Sequence, residues 1–215
     1  SDPHAANEAF LAIAAEAGLP LDLHVDETLD PTRFALADLA ERIIASGFPY
    51  RVAASHCISL VMQSARVQAQ ISERIAEAGI TVIALPSSNL FLQGREHGVA
   101  TPRALTAVAA LRAAGVNLAA GADNLQDPFN PVGRGDCLET ASLMVMVGHL
   151  LPHHAYDTVS GSVRTAMGLP VAGTDVGMAA DLVLLDADTT REAIAFAPSK
   201  RTVIRAGVVL SVQNV

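Results

Sequence analysis

Short apolar runs alternate with longer amphipathic segments through the first half of the chain. The amphipathic, Ala-rich segments predict helices at residues 4–17, 31–46, 59–78 and 102–114. Each of these is followed by a Gly that ends the helix and then by a short apolar run. The apolar runs predict strands at residues 21–25, 51–54, 80–85 and 116–120. This alternation is typical of βα units built around a parallel sheet.

The pattern changes in the second half of the chain. Two consecutive helices are predicted at residues 138–149 and 153–167. Short alternating runs, typical of antiparallel strands in a small sheet, follow at residues 180–186 and 201–210. We therefore predict a boundary near Gly173, which divides the chain into segments 1–172 and 173–215.

The composition limits the partners that this chain can bind. The 215 residues carry a formal net charge of −8, and the acidic residues are scattered. A protein that binds a nucleic-acid backbone needs clustered Lys and Arg instead. Hydrophobic residues make up 51% and charged residues 17%, which is typical of a globular chain with a well-filled core. We therefore expect a small molecule, and no nucleic acid, as the partner.

Neither a membrane segment nor a disulfide framework is expected. No apolar run approaches the roughly 18 residues that a membrane span requires. The first residues lack the basic and apolar regions of a signal peptide. Cys57 and Cys137 lie far apart and form no C-x-x-C motif. These features favour a cytoplasmic protein that does not bind membranes.

Polar side chains follow each of the four predicted parallel strands. His24 lies at the end of the first strand and Glu27 follows it, and His56, Asn89 and Asp123 follow the second, third and fourth strands. Since the active site of a βα barrel lies at the carboxyl ends of its strands, we expect these side chains to converge on one mouth. Residues three apart on a strand face opposite sides, so His24 and Glu27 both reach the mouth only if the chain leaves strand geometry just after His24.

Two imidazoles and two carboxylates are suited to a site in which a divalent metal ion activates water. His24 and Asp123 can hold the metal, and Glu27 can transfer protons as a general acid and base. His56 is better placed beside the attacking water, and a second role as metal ligand stays open. The joint pattern is the signal, because a single His or Asp after a strand is more often a helix cap or a solvated loop residue.

Four motifs make the chain similar to a known family. They are residues 22–27 (DLHVDE), 54–56 (ASH), 89–95 (NLFLQGR) and 121–128 (GADNLQDP). In this order and spacing they resemble cytosine deaminase and its relatives in the amidohydrolase superfamily. The resemblance implies an α/β fold in which segment 1–172 forms the C-terminal half of a metal-dependent TIM (β/α)8 barrel, strands five to eight. Segment 173–215 would then belong to a small appended β-sandwich domain.

The resemblance also implies a role for each polar residue at the mouth. In that family the His of the His-x-x-Glu motif binds the metal and its Glu shuttles protons, which corresponds to His24 and Glu27. The next His contacts the hydrolytic water, and the Asp after the last strand binds metal and accepts a proton, which corresponds to His56 and Asp123. The implied cofactor is one divalent ion, zinc or iron. The implied reaction is hydrolytic deamination of a cyclic, nucleobase-like substrate with release of ammonia.

Three further side chains are candidates for orienting that substrate. They are Gln93, Arg95 and Asn124. Asn124 stands where cytosine deaminases tend to carry a second Asp directly after the last-strand Asp. The heterocycle therefore stays open between a pyrimidine, a pterin and a related ring.

One part of the family pattern has no counterpart in this sequence. The paired His-x-His of the first barrel strand, which supplies two further metal ligands, does not occur among the seven His residues. A half-barrel exposes an edge strand and an apolar inner face, so we expect the missing N-terminal half or a homo-oligomer to complete it. Two other functions stay open: an amidohydrolase that cleaves a ring C–N amide bond, and a catalytically incomplete fragment or binding module.

Overall fold

A computed structural model describes residues 2–213 and contains a parallel and an antiparallel sheet within them. The parallel sheet consists of β1 (Leu21–Val25), β2 (Val52–His56), β3 (Ile80–Ala84) and β4 (Leu118–Ala120). The antiparallel sheet consists of β5 (Leu182–Leu185), β6 (Arg201–Arg205) and β7 (Val208–Gln213). Residues 1, 214 and 215, which the predicted segments include, lie outside the described residues.

Helices connect and cover both sheets. Those before and between the parallel strands are α1 (Pro3–Ala17), α2 (Ala35–Ser46), α3 (Ala65–Glu77), α4 (Pro86–Leu92) and α5 (Val108–Ala113). Those after β4 are α6 (Cys137–Met146), α7 (Pro152–Thr158), α8 (Gly161–Met167) and α9 (Thr190–Phe196). None of the helices in residues 2–213 is long and apolar enough to cross a membrane.

The parallel sheet has the strand order β1-β2-β3-β4, which is also the order of the strands along the chain. Leu23 pairs with Ala54, and Val25 pairs with His56 at the carboxyl end of β2. Because every pair is parallel, the carboxyl ends of the four strands lie along the same edge. The predicted α/β class with sequential βα units is confirmed.

The main core joins the parallel sheet to the helices that pack on it. Leu36 and Leu39 of α2, Ile75 of α3 and Leu111 of α5 are fully buried in this core, together with Val82 of β3. Burial of a Leu or Ile side chain contributes about 1.5–3 kcal/mol relative to exposure. These apolar positions fix the sheet and helices, and they leave the carboxyl edge of the sheet to polar residues.

Three of the predicted helices begin later than the sequence pattern indicates. The helix predicted from residue 31 begins at Ala35, and the one predicted from residue 59 becomes a short 3-10 turn followed by α3. Ser64 caps α3 by accepting a hydrogen bond from Val67 N. The helix predicted from residue 102 begins at Val108, because Ala104 is buried with a φ of 51° that interrupts helical geometry.

The sequence pattern does not predict α4 and α9. Residues 86–89 read as a polar continuation of the third strand, whereas Pro86 opens α4 at a first helical position, where the missing N–H is harmless. Thr189 caps α9 by accepting a hydrogen bond from Glu192 N. A Thr followed three residues later by Glu is a recognised start signal, so α9 was detectable in the sequence.

The antiparallel sheet confirms the small second sheet, with the strand order β5-β6-β7. The run predicted as one strand over residues 201–210 is a hairpin, because Ala206 and Gly207 have φ angles of 48° and 78° and reverse the chain. Likewise, the helix predicted over residues 153–167 is divided into α7 and α8. The division into segments 1–172 and 173–215 stays a prediction.

An ion pair connects the second sheet to α6. The carboxylate oxygens of Asp136 accept hydrogen bonds from Nη1 and Nη2 of Arg201 at 3.0 and 2.7 Å. The same carboxylate caps α6 by accepting from Leu138 N at 3.0 Å. The Arg201 guanidinium lowers the pKa of Asp136 below its usual value. Asp136 therefore stabilises the fold above the pKa of the unfolded chain, about 3.9, and this contribution is lost as the pH falls through the lower folded value.

We expect Asp136→Asn to lower the free energy of unfolding by about 1 kcal/mol at neutral pH, because it removes a two-point ion pair and leaves an oxygen that can cap α6. The difference from the wild type should shrink as the pH is lowered below about 4. Urea denaturation over a series of pH values measures both effects. Asp186→Asn, at an exposed carboxylate that directly follows β5, is the control. A difference that stays constant down to pH ~3 would contradict this account.

Candidate active site

The carboxyl edge of the parallel sheet brings the predicted polar residues together. One ligand-type atom each from His24, His56 and Asp123 lies within 4.8 Å of the others. His24 Nδ1 lies 2.8 Å from His56 Nε2. Glu27 Oε2 lies 3.6 Å from the same His56 nitrogen. The four side chains therefore meet at one mouth.

The register of β1 and β2 places the two imidazoles side by side. His24 pairs with Ser55, and Val25 pairs with His56, so the two His residues are one position out of step across the ladder. Their ring centroids are 4.8 Å apart, with the ring planes tilted by 52°. His56 is only 1% exposed, whereas His24 is exposed. The pair therefore extends from the core to the open side of the mouth.

The chain leaves strand geometry abruptly at the carboxyl ends of three strands. Asp26, His56 and Asp123 have φ angles of 52°, 70° and 62°, in the left-handed region that disfavours residues with a Cβ. Such a position costs roughly 1–2 kcal/mol for a non-Gly residue. At Asp26 this turn directly follows the end of β1 at Val25, as the sequence requires for His24 and Glu27 to share the mouth.

Asp26 itself points away from the mouth and caps α2. Its Oδ1 accepts a hydrogen bond from Ala35 N at 2.8 Å, and its Oδ2 accepts one from Leu36 N at 2.9 Å. Phe34, the residue at the cap position, has no side-chain acceptor for these groups. The late start of α2 follows from this long-range cap. Burial raises the pKa of the Asp26 carboxyl, and the two N–H donors partly offset that rise.

The backbone of the same turn is braced by the segment after β2. The Asp26 carbonyl accepts hydrogen bonds from Thr28 N at 2.8 Å and from Ile58 N at 3.0 Å. Cys57 N donates to the Val25 carbonyl at 2.9 Å. The position of Glu27 is therefore set by contacts on both sides of it.

Asn89 supports His56 from inside the protein. It lies on α4, is fully buried, and its Oδ1 lies 2.9 Å from His56 Nδ1. The sequence pattern predicts that Asn89 lies at the mouth but gives it no role. The sequence does not indicate the contact between Asn89 and His56, because this contact depends on helix α4, which the sequence pattern does not predict.

Gln93 and Arg95 lie just after the carboxyl end of α4. Gln93 Nε2 donates to the backbone carbonyl of Glu27 at 3.3 Å, so Gln93 braces the residue predicted to transfer protons. The Arg95 guanidinium stacks 4.2 Å from the centroid of the Phe91 ring, and its Nε donates to the Phe91 carbonyl at 2.8 Å. Arg95 is exposed and is held against Phe91 of α4, and none of these contacts joins it to His24, His56, Glu27 or Asp123.

Asn124 is engaged in the loop that follows β4. Its Nδ2 donates to Asp127 Oδ2 at 2.7 Å, and its Oδ1 accepts from Ser88 Oγ at 3.4 Å. Its backbone carbonyl accepts from Asn130 Nδ2 at 2.7 Å. Both ends of the Asn124 amide make a hydrogen bond in this structure, and since an amide can make two at each end, these contacts do not exclude a further partner.

The donor set at the mouth fits a divalent metal ion. Two imidazole nitrogens and a carboxylate oxygen are ligands that suit zinc and iron. The 2.8 Å between His24 Nδ1 and His56 Nε2 is a hydrogen-bond distance. Two nitrogens on one tetrahedral zinc lie about 3.3 Å apart, so the two rings need to separate by only a few tenths of an ångström to share an ion.

Sequential parallel βα units with polar residues at the carboxyl edge of the sheet are typical of βα-barrel enzymes. Comparison with known proteins gives the family. Residues 3–211 match the Amidohydrolase family, and the chain belongs to it. The resemblance to the cytosine deaminase branch of this superfamily is confirmed by the relatives that follow.

The chain is 39% identical over 208 residues to a pterin deaminase of Rhizobium rhizogenes, and the match covers 94% of this chain and 47% of that protein. It superimposes with a TM-score of 0.90 and 29% identity on 5-methylcytosine deaminase from Klebsiella pneumoniae liganded with phosphonocytosine, over 99% of this chain and 53% of that one. It superimposes on N-isopropylammelide isopropylaminohydrolase from Burkholderia multivorans with a TM-score of 0.80 and 28% identity, over 98% of this chain and 52% of that one. The chain spans about half the length of these relatives.

We expect Asp26→Ala to lower the free energy of unfolding by about 1–2 kcal/mol, because the first N–H groups of α2 lose their acceptors. Asp26→Asn keeps one side-chain oxygen and should lose less. Thermal or urea unfolding measures both, with Asp175→Ala at an exposed position as the control. Equal losses in Asp26→Ala and Asp175→Ala would show that the cap contributes nothing.

Proposed function

We propose that this chain forms part of the active site of a metal-dependent hydrolase that deaminates a cyclic, nucleobase-like substrate. The observation that carries the proposal is the cluster of His24, His56, Glu27 and Asp123 at the carboxyl edge of the sheet. The similarity to a pterin deaminase and a 5-methylcytosine deaminase supports the same reaction class.

His24 and Asp123 would hold one divalent ion, zinc or iron, and His56 offers a third donor within reach. When bound, such an ion lowers the pKa of a coordinated water towards about 7 and so supplies a nucleophile at neutral pH. The chain's own residues then have to orient that water and transfer its protons.

Glu27 is the proposed proton shuttle. Its carboxylate lies 3.6 Å from His56 Nε2. Glu27 is therefore next to the possible metal ligands His24, His56 and Asp123 but is not one of them. It can take a proton from the attacking water and deliver it to the ring nitrogen or to the leaving amine. His56 would orient the water through Nε2. With the first water proton delivered to the ring nitrogen, Asp123 would accept the second, from the hydroxyl on the tetrahedral carbon, and pass it to the amine; the C–N bond then breaks and ammonia leaves as the carbonyl forms.

The substrate would be a nitrogen heterocycle with an exocyclic amine on an amidine-type carbon. Pterins are the first compounds to test, and pyrimidines the second, in line with the two deaminases that the chain resembles. We propose that Arg95, Gln93 and Asn124 orient the ring. The exposed guanidinium and the two amides are suited to ring carbonyls and ring nitrogens.

A second candidate reaction is the hydrolysis of a C–N bond on the same kind of ring with release of a larger amine or an amide product. The similarity to N-isopropylammelide isopropylaminohydrolase favours it. The ligand set and the proton shuttle would be the same, because only the leaving group differs. Product analysis distinguishes ammonia from an alkylamine.

We further propose that residues outside this sequence complete the site, either in a longer protein or in a homo-oligomer, since the relatives are about twice as long. A binding module without catalysis is the remaining alternative, and it predicts that no metal binds. A cytoplasmic location stays a prediction.

In the full natural protein, we expect Glu27→Gln to reduce kcat for metal-supported deamination by at least about 100-fold, because the shuttle loses its proton acceptor. Ammonia release from a panel of pterins and pyrimidines measures the rate. Glu96→Gln, an exposed residue of the loop after α4, is the matched control and should keep wild-type activity. Unchanged activity in Glu27→Gln would remove Glu27 from the mechanism.

We expect Asp123→Ala to reduce the metal content per chain, whereas Glu27→Gln should leave it unchanged, because Asp123 belongs to the donor group and Glu27 does not. Loss of an oxygen ligand should weaken the affinity for zinc by at least about tenfold. Elemental analysis after equilibration with limiting zinc measures the difference. Equal metal content in both variants would contradict the proposed ligand set.

A further inference from the structure

We propose that Asn89 is a positioning residue that fixes the imidazole tautomer of His56, with the proton on Nδ1 and the lone pair of Nε2 directed to the mouth. The inference rests on the proposed function, because its consequence is the orientation of the water that His56 contacts. It gives a role to a fully buried residue that lies behind His56 and outside the group of possible metal ligands.

The geometry around Asn89 isolates the two side chains from water. Asn89 is 0% exposed and His56 is 1% exposed, so neither group can exchange its partner for solvent. The 2.9 Å between Asn89 Oδ1 and His56 Nδ1 is a full hydrogen bond. Loss of this contact would leave a buried donor or acceptor without a partner, which is unfavourable.

A neutral imidazole has one N–H donor and one acceptor nitrogen. The amide oxygen of Asn89 can only accept, so it holds the His56 proton on Nδ1 and leaves Nε2 as the acceptor. That nitrogen lies 2.8 Å from His24 Nδ1 and 3.6 Å from Glu27 Oε2. It can therefore accept a hydrogen bond from His24 or from a water at the mouth.

The opposite orientation of the Asn89 amide would donate from Nδ2 to His56 Nδ1 and place the proton on Nε2. An N–H directed at the mouth would repel a cation held by His24 and Asp123. A His that ligates a metal almost always donates its other ring N–H to a carboxylate, a carbonyl or a water, and His56 belongs to the group that can hold an ion. The donor set at the mouth thus favours Asn89 as the acceptor.

The unpaired end of the amide agrees with a role at His56. Asn89 Nδ2 is buried and finds no hydrogen-bond partner among residues 2–213. Burial of an amide nitrogen without a hydrogen-bond partner is unfavourable, so an apolar side chain would serve better if position 89 only filled space. The single hydrogen bond that Asn89 makes from its side chain within these residues is the one to His56.

Two substitutions test whether the side chain at position 89 acts as a hydrogen-bond acceptor or as a donor. Asn89→Asp keeps the oxygen and loses the N–H2 group, whereas Asn89→Leu has a similar volume and loses both. In the full natural protein, Asn89→Leu should lower kcat about 10–100-fold with little change in KM, and Asn89→Asp should stay within about tenfold of the wild type. Ser72→Ala, which removes a buried hydroxyl on α3 far from the site, is the control and should keep wild-type kcat.

The tautomer itself is measured by 15N NMR of ring-labelled His, with and without zinc, and the His56 signals are assigned by their loss in His56→Gln. We expect the Nδ1–H form in the wild type and in Asn89→Asp, and a mixture of tautomers in Asn89→Leu. An Nε2–H form in the wild type, or Asn89→Asp impaired more than Asn89→Leu, would overturn the proposal. If Asn89→Leu does not fold, the wild-type and Asn89→Asp spectra still decide. Absence of any deaminase activity would count against the proposed function, and the spectra would still test the tautomer.

Discussion

The site depends on strained turns at the carboxyl ends of the parallel strands. Asp26, His56 and Asp123 all adopt positive φ angles, which persist only where surrounding contacts over-determine them. At Asp26 those contacts are visible: the carboxylate caps α2 and the carbonyl accepts from Ile58 N. This turn directs Glu27 to the same mouth as His24. In a continued strand the two side chains would face opposite sides of the sheet. The loops therefore carry as much of the geometry as the sheet.

Burial decreases in one direction through the site. Asn89 is fully buried, His56 is almost fully buried and His24 is exposed. Hydrogen-bond contacts of 2.9 and 2.8 Å connect these three in sequence. Side chains inside a close-packed core hold their rotamers, so Asn89 and His56, at the inner end of this series of hydrogen bonds, are rigid. The outer part, where His24 and Glu27 lie, is the part that can adjust to a ligand.

The sequence predicts the strands and the residues at their ends, but not what those residues touch. Apolar runs and Gly stops locate β1 to β4, and the expected need to leave strand geometry after His24 is met at Asp26. The start of α2 is missed, because its cap comes from Asp26 and not from a neighbouring residue. Asn124 is a candidate substrate contact from its place after Asp123, but the sequence does not indicate that its amide also hydrogen-bonds to Asp127 and Ser88. Contacts between distant parts of the chain leave no periodic signal.

Neighbouring strands of the parallel sheet are also neighbours along the chain, so the geometry of the site depends on the register between successive strands. The His24–His56 contact depends on one register, in which Val25 pairs with His56. A slip of one residue would turn the side chains of β1 to the opposite face and remove His24 from the mouth. The buried side chains of β2 oppose such a slip, because all five of its positions are buried. Packing of the apolar β2 residues thus fixes the distance between two imidazoles that do not themselves hold the sheet together.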